Sequence, residues 1–372
     1  MKNILLILVL FFGLTYLSIA TENLYNTPWS YILQDININE IVNNNTFELI
    51  VMDYSADGTE SGEFGWEQID SIQVSGKYAI SYISIGEAEN YRFYWNPVWE
   101  TNPPSWLGPE NPDWEGNYKV RFWESEWQNI IFSYLDRIIE QGFDGIYMDI
   151  IDAYYYWMDE NPEQPLADSL MVEFVHNIRN YIDTQTGRDD FYLIPQNGEQ
   201  IIIEANVLET LKQQYFNDIS AIGIEDIFFY GDDDNNNPYN PEQYRIDVLT
   251  EFLNAGIPVF SVEYLTQQSL IDTYLSAAND QSYVPYVSIR DLNILNNGMF
   301  IDSPELNILY ENQNMMLVWD EIIGAGYYFI YCSEDPYFDP DVSNYLDSTA
   351  VLNYEFTPVS EKYFYLVKAL RD

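Results

Sequence analysis

The feature that most constrains the fold of this chain is a repeated alternation of short apolar runs with longer amphipathic stretches. Near-continuous apolar runs are typical of strands that are buried on both faces of a parallel sheet. Most of these runs end in polar or acidic residues. The eight runs are 29–33, 47–52, 78–85, 145–148, 191–194, 219–224, 258–262 and 283–289.

The stretches between the runs favour helices. Apolar residues from Trp127 to Ile138 recur at helical spacing, and Gly142 follows as a C-cap. The stretches 170–182 and 244–253 behave similarly. Eight strands alternating with helices over about 280 residues predict an α/β fold, the (β/α)8 TIM barrel. A doubly wound open sheet is the structural alternative, and the lack of a Gly-rich loop after the first strand disfavours its nucleotide-binding version.

The texture of the sequence changes near residue 304. Short strands are predicted at 315–319, 327–332, 351–356 and 363–370, and turn residues separate them, which is typical of a small all-β sandwich. Trp319, followed by an aromatic run at 327–331, resembles the fibronectin type III pattern. We therefore expect a barrel over 21–303 and a fibronectin type III-like sandwich over 304–372.

The N-terminus predicts export. Met-Lys-Asn precedes an apolar stretch at 4–14 and small residues up to Ala20, as in a secretory signal peptide over 1–20. The apolar stretch is short for a membrane span of about 20 residues. We expect a secreted monomer, extracellular or periplasmic, with no membrane association after cleavage. Cys332 is the one cysteine, so an intramolecular disulfide is excluded and stability must come from the core.

Charge is the most extreme global property. The chain has 60 acidic and 14 basic residues and a formal net charge of -46. Such a surface repels nucleic acid and anionic membranes, and we exclude both as partners. It would attract a cationic polymer, although a solvated acidic surface that serves solubility alone is the plainer alternative.

Acidic residues follow most of the predicted strands, where a barrel places its active site. One carboxylate at a strand end can be only a helix N-cap, as Asp152 can be. Several carboxylates around one cavity raise one another's pKa values, and a protonated and an ionised carboxyl on either side of one bond are what glycosidic cleavage requires. The strand-end residues are Asp53, Glu87, Glu89, Asp149, Asp152, Asn197, Glu225, Glu263 and Arg290.

The sequence lacks most of the side chains that other catalytic mechanisms require. His176 is the single histidine and falls in the middle of a predicted helix, so zinc catalysis and histidine-based triads have little to work with. The acidic run 232–237 lacks the glycine and glutamate of an EF-hand and is interpreted as a flexible loop near the site. We expect no metal and no cofactor.

Tryptophan is concentrated in a Pro- and Asn-rich segment after the third predicted strand. Trp127 belongs to the apolar face of its helix, whereas the others lie where a barrel carries its substrate loops. Each tryptophan taken individually is more simply interpreted as a packing residue. As a group they predict a carbohydrate cleft, because ligand pockets are aromatic-lined. The six tryptophans of this region are Trp95, Trp99, Trp106, Trp114, Trp123 and Trp127.

Four stretches carry a specific family resemblance: 51–55, 80–92, 119–123 and 142–154. Together they resemble glycoside hydrolase family 114, the endo-α-1,4-polygalactosaminidase group, and in particular its bacterial branch. The resemblance spans roughly residues 29 to 294.

The resemblance implies a set of site residues. The acids that end strands four and six are the proposed catalytic pair of that family, and they map onto Asp149 and Glu225. Where the family has Asn-Glu-Gln-Cys this sequence has Ile-Glu-Asp-Ile, so Asp226 is the alternative second acid. A Ser-Tyr-Glu-(x)-Trp-Arg pattern appears as Glu-Ala-Glu-Asn-Tyr-Arg, which implies substrate binding by Glu89 and Arg92. The further substrate-binding candidates are Asp53, Glu87, Trp123, Asp152, Tyr154, Asn197, Glu263 and Arg290.

The resemblance also implies an α-1,4-linked galactosamine polymer as substrate, which is cationic where it is deacetylated. Our hypothesis is an endo-acting glycosidase with Asp149 as nucleophile or base and Glu225 as general acid. Two alternatives stay open. One is a hydrolase or lyase of a different polysaccharide on the same barrel, and the other is a non-catalytic carbohydrate-binding barrel with a sandwich spacer.

Overall fold

The computed structural model describes residues 24–25, 27–186, 188, 190–295, 304, 306–311, 314–320, 325–333, 345–356 and 363–371. The predicted signal peptide over 1–20 lies outside the described residues.

Eleven strands precede the C-terminal region in the described part of the chain. They are β1 (Trp29–Ile32), β2 (Leu49–Met52), β3 (Tyr78–Ser84), β4 (Glu87–Glu89), β5 (Leu107–Glu110), β6 (Asn117–Val120), β7 (Gly145–Asp149), β8 (Tyr192–Pro195), β9 (Ile222–Glu225), β10 (Val259–Tyr264) and β11 (Val284–Ser288). All eight strands predicted from the apolar runs are confirmed.

Eight of these strands form a TIM-barrel-like ring of two parallel sheets, β1-β2-β3-β7-β8 and β9-β10-β11. The two sheets meet between β8 and β9, where Gln196 forms a parallel bridge with Gly223. On the other side, the indole Nε1 of Trp29 on β1 donates to the carbonyl of Val284 on β11 at 3.0 Å. The open doubly wound alternative is therefore excluded.

Large aromatic side chains fill the inside of the ring. The ring centroid of Trp29 lies 5.1 Å from that of Phe260 and 6.2 Å from that of Tyr147. A Cβ added at Gly223 would meet the hydroxyl of Tyr147 at 1.9 Å, so only glycine leaves room for this tyrosine. The interior is a packed core rather than a channel.

Helices cover the outside of the barrel. The predicted helices are confirmed, and the one that begins at Ser125 buries Trp127, Ile131 and Leu135 and ends at Gly142, whose φ of 96° is left-handed. The longer helices are α1 (Ile38–Asn43), α2 (Trp66–Val74), α3 (Ser125–Gln141), α4 (Ala167–Tyr181), α5 (Glu209–Asp218), α6 (Gln243–Asn254) and α7 (Gln268–Asp280). Shorter helical turns lie at Glu60–Gly62, Pro97–Glu100, Ala153–Tyr155, Tyr156–Glu160, Ile182–Thr186 and Glu199–Ile203.

The segment after β3 is folded more tightly than its composition suggests. Strands β4, β6 and β5 form a three-stranded antiparallel sheet over it. The ring centroids of Trp95 and Trp99 are 5.3 Å apart, and those of Trp99 and Trp106 are 5.0 Å apart. These three tryptophans pack edge to face, as expected of each one individually, and they are not among the residues that line the cavity described below.

The C-terminal region has two antiparallel sheets, in the orders β12-β13-β16 and β15-β14-β17. Trp319 and Tyr328 come from different sheets and have ring centroids 5.4 Å apart in a shared buried cluster. The resemblance to fibronectin type III and the domain boundary stay predictions. The strands are β12 (Leu306–Glu311), β13 (Asn314–Trp319), β14 (Ala325–Ser333), β15 (Tyr345–Thr349), β16 (Asn353–Phe356) and β17 (Phe364–Arg371).

Within the described residues, none of the helices combines the length and the apolar character that a membrane crossing requires.

Candidate active site

A cavity of about 630 Å³ opens at the carboxyl ends of the barrel strands, and all eight strands or the residues just after them contribute to its lining. Its size is within the range of ligand pockets. The lining residues are Tyr31, Leu33, Gln34, Asp35, Asp53, Ala56, Asp57, Gly58, Tyr82, Glu87, Glu89, Tyr91, Arg92, Trp114, Asn117, Asp149, Ile150, Asp152, Gln196, Asn197, Glu225, Tyr264, Arg290 and Leu292.

The lining is strongly acidic. It contains eight carboxylic acids and two guanidinium groups, those of Arg92 and Arg290. Since low-dielectric walls concentrate the field of such a cleft, it attracts cationic ligands and repels anionic ones.

Asp149, the last residue of β7, carries the most perturbed carboxyl that faces this cavity. Its Oδ2 accepts a hydrogen bond from the hydroxyl of Tyr82 at 2.7 Å, and its Oδ1 accepts from the backbone N–H of Ile150 at 2.8 Å. Removal from water raises the pKa of Asp149 to about 8, the negative charge of Glu225 adds to the rise, and the bond from Tyr82 opposes it. Asp149 therefore holds a proton at neutral pH in the free protein.

Glu225, the last residue of β9, is held by two donors. The side-chain Nδ2 of Asn197 donates to its Oε1 at 3.0 Å, and the hydroxyl of Tyr264 donates to its Oε2 at 2.5 Å. These two donors therefore fix the orientation of the Glu225 carboxyl at the cavity.

A buried ion pair fixes the amide of Asn197. The guanidinium of Arg245 on α6 contacts Glu199 at 2.6 Å, and its Nη2 donates to the Oδ1 of Asn197 at 3.3 Å. Because the Oδ1 is engaged by Arg245, the Nδ2 of Asn197 faces Glu225. Arg245 therefore acts on the Glu225 carboxyl through Asn197, and it also donates directly to the backbone carbonyl of Glu225 at 3.3 Å.

Three residues within two positions of the ends of site strands have left-handed backbones: Ile150 (φ 61°), Asn197 (φ 55°) and Asp226 (φ 53°). For residues with a Cβ this conformation costs about 1–3 kcal/mol, and such strain concentrates at functional sites. At Ile150 the β-branched side chain makes it most unusual.

A second charged group lines the other side of the cavity. Arg92 contacts Asp53 at 2.7 Å and Glu89 at 2.7 Å, and the hydroxyl of Tyr91 also donates to Glu89. Burial raises the pKa of Asp53 to about 6, while the charge of Arg92 opposes the rise.

Two more ion pairs lie at the edges of the site. The buried carboxyl of Glu87 accepts from Lys119 at 2.7 Å. Asp226, the alternative second acid, lies 2.8 Å from Arg290 and is not part of the cavity lining. Removal from water raises its pKa to about 6, and Arg290 opposes the rise. Of the two neighbouring acids, it is Glu225 that faces the cavity.

The structure brings nine of the predicted site residues into one cavity, and three lie elsewhere. Trp123 packs edge-on against Trp157 with ring centroids 5.4 Å apart. Tyr154 is buried in the core, and its hydroxyl lies 3.4 Å from Glu204. Glu263 is fully buried behind the site, where it accepts a 2.7 Å bond from the backbone N–H of Phe228. The prediction that these three bind substrate is corrected. The nine residues in the cavity are Asp53, Glu87, Glu89, Arg92, Asp149, Asp152, Asn197, Glu225 and Arg290.

Sequence reasoning missed the tyrosines that hold the two carboxyls. Tyr82 and Tyr264 belong to apolar strand runs, where an aromatic residue is expected to be core. Tyr82 lies two residues before the end of its strand and Tyr264 ends its own, so the known alternation of side chains offered a weak signal.

The acidic run 232–237 is not a free loop. The Oδ1 of Asn235 accepts from the backbone N–H of Arg290 at 3.1 Å, and the Nδ2 of Asn236 donates to Thr266 at 2.7 Å. Among the residues that the structure describes, no group of three or more metal-ligating side chains is found.

A TIM-barrel-like fold with several carboxyls at its mouth is an arrangement typical of glycoside hydrolases. Residues 18–305 match the model of glycoside-hydrolase family GH114, and the chain belongs to this family.

Relatives with similar sequences span most of the chain. An uncharacterized protein of Methanocaldococcus jannaschii is 42% identical over 294 residues, which are 76% of this chain and 82% of the relative. Another, from Thermotoga maritima, is 36% identical over 310 residues, which are 79% of this chain and 92% of the relative.

Two solved structures share the fold. Ega3 of Aspergillus fumigatus, in complex with galactosamine, has a TM-score of 0.53 at 19% identity and covers 72% of this chain and 93% of its own. The glycoside hydrolase domain of PelA from Pseudomonas aeruginosa has a TM-score of 0.54 at 15% identity, with 72% and 96% covered. At these identities the likeness concerns the fold alone.

Proposed function

We propose that this protein is a secreted, endo-acting glycosidase that cleaves an α-1,4-linked galactosamine-containing polysaccharide with Asp149 and Glu225. One observation carries the proposal. The two carboxyls line the same cavity at the barrel mouth, and the charge of Glu225 contributes to keeping Asp149 protonated.

The singly protonated pair is the active form. One carboxyl protonates the leaving oxygen, and the other attacks the sugar or activates water. The sequence-based hypothesis makes Glu225 the donor, whereas in the free protein the proton lies on Asp149. Under that hypothesis the proton passes to Glu225 before the bond breaks. Under either assignment cleavage needs a proton on one of the two carboxyls, and Asp149 loses its proton as the pH rises through about 8.

The substrate class rests on charge and on a structural neighbour. Eight carboxylic acids line the cavity, which suits a polymer that carries ammonium groups. Ega3, which shares the fold, was solved with galactosamine bound. The expected signal peptide would deliver the enzyme to a polymer outside the cell.

The test is product analysis by mass spectrometry on partially deacetylated α-1,4-galactosaminan. We expect short oligosaccharides from the wild-type protein and a loss of at least about 100-fold in Asp149→Asn and Glu225→Gln, since a general acid or base contributes about 10²–10⁴. Asp226→Asn, at the adjacent acid outside the cavity, is the matched control and should retain activity.

A second substrate shows which of the two carboxyls is the proton donor and which is the nucleophile. An aryl glycoside with a good leaving group needs no protonation, so the donor variant retains activity on it and the nucleophile variant does not. Full activity of Asp149→Asn on the polymer would remove it from catalysis. Binding without cleavage by the wild-type protein would favour a non-catalytic carbohydrate-binding barrel. Cleavage of only neutral or acidic glycans would show that the substrate is a different polysaccharide.

A further inference from the structure

Trp114 differs from the other tryptophans of its segment. Its side chain is 61% exposed and lines the mouth of the cavity. Trp95, Trp99 and Trp106 instead cover one another. Within the described part of the chain no other aromatic ring packs against Trp114, and more than half of its side chain is open to solvent.

Hydrogen bonds hold the turn that carries Trp114 in place. It connects β5 to β6, and the backbone N–H of Asn117 donates to the carbonyl of Trp114 at 3.1 Å. The side chain of Asn111 donates to Glu87 at 2.9 Å, and Glu87 is fully buried beside the cavity and also paired with Lys119. A ring on such an anchored turn loses little freedom on binding a ligand.

The other exposed aromatic residue of the cavity is already engaged. Tyr91 is 41% exposed, but the guanidinium of Arg92 lies 4.9 Å from its ring centroid, and its hydroxyl donates to Glu89. Tyr82 and Tyr264 are buried and hold the catalytic candidates. Trp114 is therefore the large aromatic face that this cavity offers to a ligand.

The surroundings of Trp114 favour a cationic sugar. Its neighbours Asp113 and Glu115 are both exposed carboxylates. An indole face attracts the C–H face of a pyranose and also an ammonium group. A hexosamine residue presents both.

We propose that Trp114 is a stacking platform for a hexosamine residue of the bound polymer, at a position away from the cleaved bond. The inference rests on the proposed function and deepens it. It predicts that the enzyme favours long chains over short oligosaccharides, because only a long chain reaches both the platform and the carboxyl pair.

The test compares Trp114→Ala and Trp114→Phe with Trp66→Ala on polymer and on a short aryl oligosaccharide. Trp66 is 56% exposed but lies against Gly142, which precedes β7 at the opposite end of the barrel, so it is a matched control. We expect Trp114→Ala to raise KM for the polymer about five- to tenfold without changing kcat or the short-substrate kinetics. We expect Trp114→Phe to keep KM for the polymer close to the wild-type value, because phenylalanine retains an aromatic face. Trp66→Ala should behave as wild type.

An unchanged KM for the polymer, or equal losses on both substrates, would overturn the platform. If the wild-type protein cleaves nothing, the proposed function fails, and calorimetry with deacetylated galactosamine oligosaccharides then decides the platform by itself. Weaker binding by Trp114→Ala than by Trp66→Ala supports it. Equal binding, or none by wild type, overturns it.

Discussion

At the scale of single residues, each candidate catalytic carboxyl is held by a tyrosine from a neighbouring strand. Tyr82 on β3 serves Asp149, and Tyr264 on β10 serves Glu225. A tyrosine hydroxyl supplies one directed hydrogen bond without a full charge. Each tyrosine thus orients its carboxyl without placing a full charge beside it.

The pH dependence of activity follows from this pair. The pKa of Asp149 is raised to about 8, first by burial and then by Glu225. We expect kcat/KM to fall as the pH rises through about 8, because Asp149 then loses the proton that cleavage needs on one of the two carboxyls. Steady-state kinetics from pH 5 to 10 check this, and constant kcat/KM up to pH 10 would contradict it.

The same pKa predicts a cost to stability. The pKa of Asp149 is about 8 in the folded protein against an ordinary value of 3.8, so its stabilising contribution is complete below pH 3.8 and is lost as the pH rises through 8. We expect Asp149→Asn to raise the Tm relative to wild type at pH 8, with a smaller difference at pH 4. Thermal melts at both pH values measure it, and equal Tm differences at both would refute it.

At the scale of elements, helix α6 supports the ends of two strands. Arg245 pairs with Glu199 and also reaches Asn197, which directs its amide at Glu225. A planar guanidinium can make both contacts from one position, whereas an ammonium is a point charge. Helix α6 thereby sets the orientation of the Glu225 carboxyl without contacting that carboxyl itself.

Arg245→Lys separates these two tasks. Lysine keeps a positive charge beside Glu199 but cannot hold Asn197 at the same time, so we expect kcat to fall about tenfold while KM and Tm change little. Enzyme kinetics and a thermal melt on the same sample test this. A normal kcat would show that Asn197 needs no such support.

The elements of the barrel were predictable from the sequence, and much of the site was not. All eight strands were visible because parallel strands are apolar throughout, and the same pattern placed eight of the nine cavity residues at strand ends. The ninth, Arg92, was implied by the family resemblance. The sheet β4-β6-β5 escaped because its short strands lie in a Pro- and Asn-rich segment. Trp123 and Tyr154 were misplaced because residue type does not show which face of an element meets the cavity. Arg245 was missed because it acts from a helix.

At the scale of the whole molecule, the net charge of -46 dominates. Its sign matches that of the cavity, so the surface and the site attract the same ligands. The field also adds self-repulsion, which salt relieves. The acidic surface therefore has a role in association beyond solubility if the substrate is cationic.

Ionic strength tests that role. We expect kcat/KM on deacetylated polymer to fall at least about tenfold between 10 mM and 0.5 M salt, since the screening length shortens from about 30 Å to less than 8 Å. The fully N-acetylated polymer, which is neutral, is the control and should change much less. The same salt response for both polymers would rule out electrostatic attraction.

The two parallel sheets of the barrel divide the catalytic candidates between them. Asp149 ends a strand of the five-stranded sheet, and Glu225 ends a strand of the three-stranded sheet. The junction between them rests on the Gln196–Gly223 bridge and on the contact of Asn197 with Glu225. The distance between the two carboxyls therefore depends on the relative position of the two sheets at this junction. That distance decides whether a glycosidase retains or inverts the anomeric configuration. The packing of the two sheets at this junction would therefore determine the stereochemistry of the product.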